Sequence, residues 1–177
     1  MTAHEPDTSF GIRARVTIRQ MRSEDLPKIE WHGQFMHFRL MFQKAYREQM
    51  QGDRHCLIAT MNQYPIGRLF VIRRQKLMDV PIYKRRALLY SFQVMEAFQG
   101  LGIGSALLQE AESHLKSYAF GFATLSVNKN NHKARRLYER RGYRIYDDET
   151  GEWTYTDHRG VLRKVNEPCY LLEKSLF

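Results

Sequence analysis

Residues 94–111 read VMEAFQGLGIGSALLQEA, with glycine at every second place from Gly100 to Gly104 and an apolar helical pattern directly after. Glycine accepts φ > 0 and lets a backbone come against a ligand, while the first turn of a helix presents N–H groups without internal partners and carries partial positive charge. A strand, a glycine loop and a helix N-terminus therefore make a cradle for an anion, typically phosphate. Spacing separates the devices that share this plan. A dinucleotide fingerprint GxGxxG would need glycine at Ser105, counted from Gly100, or at Leu107, counted from Gly102, and the Walker sequence GxxxxGK[ST] is absent.

Around the loop the patterning is regular. Before it, ALLYSFQVM (87–95) is the most hydrophobic strand candidate, expected near the centre of a sheet. After it, Ile103, Leu107, Leu108, Ala111 and Leu115 form a helical stripe opposite Gln109, Glu110, Glu112 and Lys116. Ala123, Leu125 and Val127 alternate as a strand; Ala134, Leu137 and Tyr138 mark one face of a shorter helix ended by Gly142.

Further out, RARVTIRQM (13–21) alternates as a half-buried strand ending near Met21, and Ser23 before Glu24 and Asp25 reads as a helix start. From Trp31 to Met50 large apolar residues recur at three- and four-residue steps, one stripe of a helix or of two consecutive helices. Most of it is expected in the core; a ligand-facing surface is the sharper reading. HCLIATMNQYPIGRLFVI (55–72) is a β-hairpin turning at Asn62, Pro65 and Gly67, and RRQKLMDVPIYKRR (73–86) reads as a loop. Strands resume at Tyr143–Tyr146, Trp153–Thr156 and Cys169–Leu172, giving an α/β centre with antiparallel ends.

The 177 residues suit one domain, with residues 1–13 as a tail and 14–177 as the folded unit; hydrophobic residues make up 43% and aromatics 12%, a globular composition. No run of about 18 apolar residues occurs, and the first ten residues lack the basic-then-apolar order of a secretory signal, so a soluble cytoplasmic protein with no membrane partner is expected. Cys56 and Cys169 have no CxxC or nearby histidine pattern, so no metal site is expected and both read as buried thiols. Net charge is +9, and between Asn128 and Arg144 seven Lys/Arg stand against the single acid Glu139, placing +6 of it in one segment. An anionic ligand is the natural partner for that excess. No aromatic single-strand platform or helix-turn-helix pattern accompanies it, so a nucleic acid is not the expected partner.

Gln99-Gly100-Leu101-Gly102-Ile103-Gly104 fits the pattern Q/R-x-x-G-x-G/A, and here the sequence resembles the GNAT superfamily of acyl-CoA-dependent N-acyltransferases. Downstream, NKNNHKARRLYERRGYRI (128–145) is similar to a second signature of that family, N-x-x-A-x-x-x-Y-x-x-x-G-F/Y, with Asn131, Ala134, Tyr138, Gly142 and Tyr143 in place. VTIRQMRSEDLPKI at the start and CYLLEKSL at the end extend the likeness over nearly the whole chain after residue 13. The least typical segment is 147–167, which reads as an elaborated hairpin between the last two strands.

The resemblance implies an α/β (α+β) fold, GNAT-like: a mixed, largely antiparallel central sheet of six to seven strands with helices on both faces. It implies acetyl-CoA as co-substrate, its pyrophosphate on the loop of Gln99, Gly100, Leu101, Gly102, Ile103, Gly104 and Ser105. Val94 would lend backbone groups to the pantetheine arm and polarise the thioester, Asn131 and Ala134 would sit on the same ligand, and Tyr138 would protonate the leaving sulfur. Lys129, Lys133, Arg135 or Arg136 are candidates for the CoA phosphates. The acceptor would be a small-molecule or peptide amine, and a homodimer is a family-level expectation.

An amine is largely ammonium at pH 7, so a base is needed. The strand LLYSFQV has no acid. Glu96 after it is the candidate base, beside Glu30, His32, His37 and a water relay through Tyr90 or Ser91. The expected activity is N-acetyl transfer in a ternary complex; the alternative is a module binding acyl-CoA, nucleic acid or protein without turnover.

Overall fold

A computed structural model describes residues 14–73, 81 and 84–177. The tail 1–13 and most of the loop expected over 73–86 lie outside the described residues. The strands are β1 Val16–Gln20, β2 Arg54–Met61, β3 Tyr64–Ile72, β4 Arg86–Val94, β5 Phe122–Asn128, β6 Arg144–Glu149, β7 Glu152–Thr156, β8 Leu162–Asn166 and β9 Cys169–Ser175. The helices are α1 Arg39–Met50, α2 Ile103–Ser117 and α3 His132–Arg140.

Seven strands form one sheet in the order β1-β2-β3-β4-β5-β9-β6. Every neighbouring pair is antiparallel except β4 with β5. A parallel pair needs a long crossover, and α2 supplies it. Helices cover both faces. Alternate residues of β2 and β3 divide between two cores: Leu57, Ala59, Leu69 and Val71 pack with α2, whereas Cys56, Ile58 and Phe70 pack with Phe42 and Ala45 of α1. The fold is therefore the expected mixed one. Leu107, Leu108 and Leu115 of α2 are fully buried, which stabilises the fold by roughly 2 kcal/mol each.

Two irregularities place the site. Arg68 opposes Gln93 and Phe70 opposes Tyr90, so Leu69 alone faces both Ser91 and Phe92, a β-bulge in β4 with Ser91 at φ 51°. The extra residue turns Phe92 and Val94 toward the α2 core and leaves Gln93 opposite Arg68. Strands β4 and β5 pair only at Arg86, Ala87 and Leu88, opposite Phe122, Ala123 and Thr124, and then diverge.

Three local readings are corrected. Ser23–Asp25 forms only a 3-10 turn; Asp25, which is buried and held by Arg19 at 2.7 Å, accepts the Arg22 N–H in place of a serine cap. The aromatic stripe is not helical from Trp31, because Trp31, His32 and Gly33 all have positive φ; α1 starts at Arg39 after a 3-10 turn at Met36–Phe38. Glu112 does not face water. It is buried between Lys174, at 2.6 Å, and Arg141, at 3.5 Å, which tie α2 to β9 and to the end of α3.

The 147–167 segment is a hairpin, with β7 and β8 paired as a separate two-stranded sheet and β8 an element the periodicity did not reveal. Asp157 holds its turn, accepting from the N–H groups of Arg159 and Val161 and from Arg163. Trp153 and Tyr155 pack on Phe38 at 6.1 and 4.8 Å between ring centroids.

Candidate active site

Where β4 leaves β5, a cleft of about 330 Å³ opens between the end of β4, the glycine loop and α3. Gly100 and Gly102 stand at φ 81° and 83°, and a Cβ at either would meet nothing within 4 Å. Their lack of side chains serves the backbone path and leaves the loop open to the cleft. Gly104 differs. Its Cβ would lie 3.2 Å from the Phe92 ring and 3.3 Å from Leu137, so here glycine allows α2 to pack against β4 and α3.

The first hydrogen bond of α2 runs from the Ala106 N–H to the Gly102 carbonyl, leaving the N–H groups of Ile103, Gly104 and Ser105 without helical acceptors. No acid lies in this first turn to compete for them. Lys133 and Arg140 line the same cleft. Open glycines, unpaired N–H groups and two cations fit a diphosphate.

The expected site residues divide by position. Val94, Gln99, Gly100, Gly102, Gly104, Ser105, Asn131, Ala134 and Tyr138 line this cleft. Leu101 and Ile103 do not line it with their side chains: Leu101 is 70% exposed and Ile103 is in the core. The Asn131 carboxamide oxygen accepts the Ala134 N–H at 3.1 Å and caps α3. Tyr138 is buried against Phe92 and Tyr143, and burial raises its hydroxyl well above the usual phenol range, so it stays protonated at neutral pH.

A second cleft, of about 360 Å³, lies beyond the end of β4 and is walled by Trp31, Gln34, Met95 and Glu96. Gln93, Val94 and Gln99 line both clefts. Glu96 thus lines the second cleft and Tyr138 the first. The other candidate bases are engaged elsewhere. Glu30 holds Arg39 through both oxygens at 2.6 and 2.7 Å, the Tyr90 hydroxyl takes Arg54, and Ser91 Oγ accepts from Arg68. His32 stacks on Tyr64, and His37 packs tilted against Phe38 with ring centroids 4.1 Å apart.

The profile of the acetyltransferase (GNAT) family matches residues 17–143. The chain belongs to that family. Among solved structures, this GNAT chain is similar to Ard1 from Thermoplasma volcanium, with a TM-score of 0.69 at 17% identity over 92% of this chain and 98% of that one. Arabidopsis thaliana NAA60 in complex with acetyl-CoA gives a TM-score of 0.70 at 18% identity over 91% and 98%. The ribosomal-protein-S18-alanine N-acetyltransferase from Escherichia coli gives 0.66 at 20% identity over 92% and 94%. No curated protein sequence matches the chain.

In these two clefts of the GNAT chain, several lining residues escaped sequence reasoning. Arg140 was not singled out, yet it follows Lys133 by two helical turns on the cleft side of α3, a spacing that a helical wheel would have shown. Lys129 pairs with Asp148 and Arg135 with Glu139, so much of the basic segment is spent on local pairs. Gln34 and Trp31 reach the second cleft only because the chain leaves helical geometry there, and no spacing signalled that. Among the described residues no group of three or more His, Cys, Asp or Glu could hold a metal ion, and no helix is long and apolar enough to cross a membrane.

Proposed function

We propose that this chain moves an acetyl group from acetyl-CoA to a primary amine, by direct transfer in a ternary complex. The observation that carries the reading is the meeting of two clefts at Gln93, Val94 and Gln99: one is built for a diphosphate and lined by a protonated phenol, the other is lined by an exposed carboxylate. The co-substrate supplies an activated acetyl group and a thiolate leaving group. Glu96 takes a proton from the incoming ammonium, and the freed lone pair attacks the acetyl carbon. Backbone N–H at Val94 polarises the acetyl oxygen; as the tetrahedral intermediate collapses the C–S bond breaks, Tyr138 gives its proton to the departing sulfur, and the second proton lost by the new amide nitrogen goes to solvent, from which the phenolate is reprotonated.

A covalent route through cysteine is disfavoured by the thiols themselves. Cys56 is fully buried, with burial pushing it up to about 12, and Cys169 is pushed up to about 11 by burial and by Glu149, which its thiol meets at 3.4 Å. The acceptor is a small-molecule or peptide amine.

The test is to mix the protein with acetyl-CoA and a panel of spermidine, benzylamine, an alanine-initiated peptide amide and a lysine-containing peptide, and to follow free thiol. Thiol release with at least one amine, lost in Glu96→Gln near neutral pH, is the expected result. CoA binding without release with any of them would leave a binding module in its place.

A further inference from the structure

Arg68, on β3, is 2% exposed. Its guanidinium carbon lies 4.6, 4.4 and 4.9 Å from the ring centroids of Trp31, Phe35 and Phe42. Nη1 donates to the Ile29 carbonyl at 3.1 Å and Nε to Ser91 Oγ at 3.2 Å. Among the described residues no carboxylate pairs with it. A buried charge without an opposite partner is costly, and aromatic faces and two neutral acceptors offset only part of that cost.

The place of this charge is specific. Arg68 is directly opposite Gln93 across the ladder, next to the bulge at Ser91, and Gln93 lines the second cleft. Its other contacts, Ile29 and Trp31, belong to the segment that walls the same cleft. The ionisable groups around it are committed elsewhere: Glu30 to Arg39, Glu48 and Tyr90 to Arg54, and His32 and His37 to ring contacts. Glu96 and Lys28 lie on 3-10 turns at Glu96–Phe98 and Lys28–Glu30.

We propose that Arg68 supplies a fixed positive charge from behind Gln93 and Trp31, two residues that line the second cleft, and there drives an incoming ammonium toward the neutral amine that attacks the acetyl group. The inference rests on reading that cleft as the acceptor site. The ammonium N–H bond breaks, the proton passes to the Glu96 carboxylate, and the lone pair becomes free for the new N–C bond. A cation beside an amine disfavours its protonated form. Burial draws the guanidinium down to about 9, which leaves it charged at neutral pH. A unit charge about 10 Å away at an effective dielectric near 20 shifts a neighbouring amine by about one pH unit.

The test compares the wild type with Arg68→Gln and Arg68→Met, using acetyl-CoA and the amine of the panel above that releases most thiol, with kcat/KM followed from pH 6 to 10. The glutamine variant keeps donors for Ile29 and Ser91 and stands in for the methionine one should that lose its CoA-induced thermal shift. In the neutral variants the acid limb should move up by about one pH unit, a tenfold loss near pH 7 that fades at high pH. An unmoved limb in Arg68→Gln, with rates lowered equally at every pH, would overturn the inference and leave Arg68 a structural residue. Wild-type protein that binds CoA but acetylates none of the amines would defeat the acyl-transfer reading itself, and this inference with it.

Discussion

Lys133 Nζ donates to the Gln99 carboxamide oxygen at 2.7 Å, while Gln99 Nε2 donates to the Val94 carbonyl at 3.0 Å. One side chain therefore joins the start of α3 to the glycine loop and to the strand end where the two clefts meet. The ammonium is exposed at the edge of the cleft, positioned to exchange its neutral partner for an anionic one.

Replacing Lys133 by methionine should weaken CoA binding about fivefold at low ionic strength, roughly 1 kcal/mol for an exposed cation, and flatten the salt dependence of affinity. Calorimetric titration with CoA at two salt concentrations measures both. Equal affinity and equal salt slope in the variant would remove Lys133 from the phosphate site.

The glycines of the loop should separate by experiment. Gly102→Glu places a like charge on the open side of the loop at positive φ, so it should abolish the CoA-induced rise in melting temperature. Gly104→Val should instead lower the melting temperature of the unliganded protein, because its side chain meets Phe92 and Leu137. A Gly102→Glu protein with the full CoA-induced shift would refute the cradle.

Tyr138→Phe should reduce kcat about 100-fold while leaving CoA affinity near the wild-type value, since the ring still fills the space against Phe92 and Tyr143. Stopped-time assays of thiol release, paired with CoA titration, separate the two quantities. Unchanged turnover across the pH range would take Tyr138 out of the proton-donor role.

His55 of β2 and His114 of α2 stack with ring centroids 3.5 Å apart and planes within 7°. Burial above all draws both down to about 4; for His55 the neighbouring His114 and then Arg73 add to it, and for His114 the charge of Arg73 does. Tyr118 packs tilted against His114 at 4.7 Å between ring centroids. Between the unfolded value near 6.5 and about 4 the unfolded chain binds more protons than the folded one, so stability is full above this window and falls as pH drops through it. The melting temperature should fall by several degrees from pH 7.5 to 5, and His55→Phe, which keeps the stack without titrating, should flatten that fall. An identical pH dependence in the variant would show that the pair is not its source.

Much of the fold could be read from spacing along single elements. The stripe of α2, the alternation of β5 and the glycine pattern at 100–104 depend on helical and strand periods that are local properties of the chain, and the structure places all three as read. The positions shared with the GNAT signatures were legible for the same reason: Gln99, Asn131 and Tyr138 lie within two short segments of fixed spacing.

Spacing could not supply what depends on a neighbour from another part of the chain. A bulge at Ser91 exists only relative to Leu69 on the adjacent strand, yet it decides that Phe92 turns toward the α2 core and the first cleft while Gln93 stands opposite Arg68. Glu112 and Arg68 look like surface residues in sequence. Their burial follows from what covers them, Lys174 and Arg141 in one case and three aromatic rings in the other. Trp31 belongs to a helical stripe by its spacing but leaves the helix at positive φ, where its indole N–H reaches the Pro65 carbonyl at 3.0 Å. Periodicity records which face a residue shares with its own neighbours; long-range packing sets what that face meets, and the two-cleft site is made of such meetings.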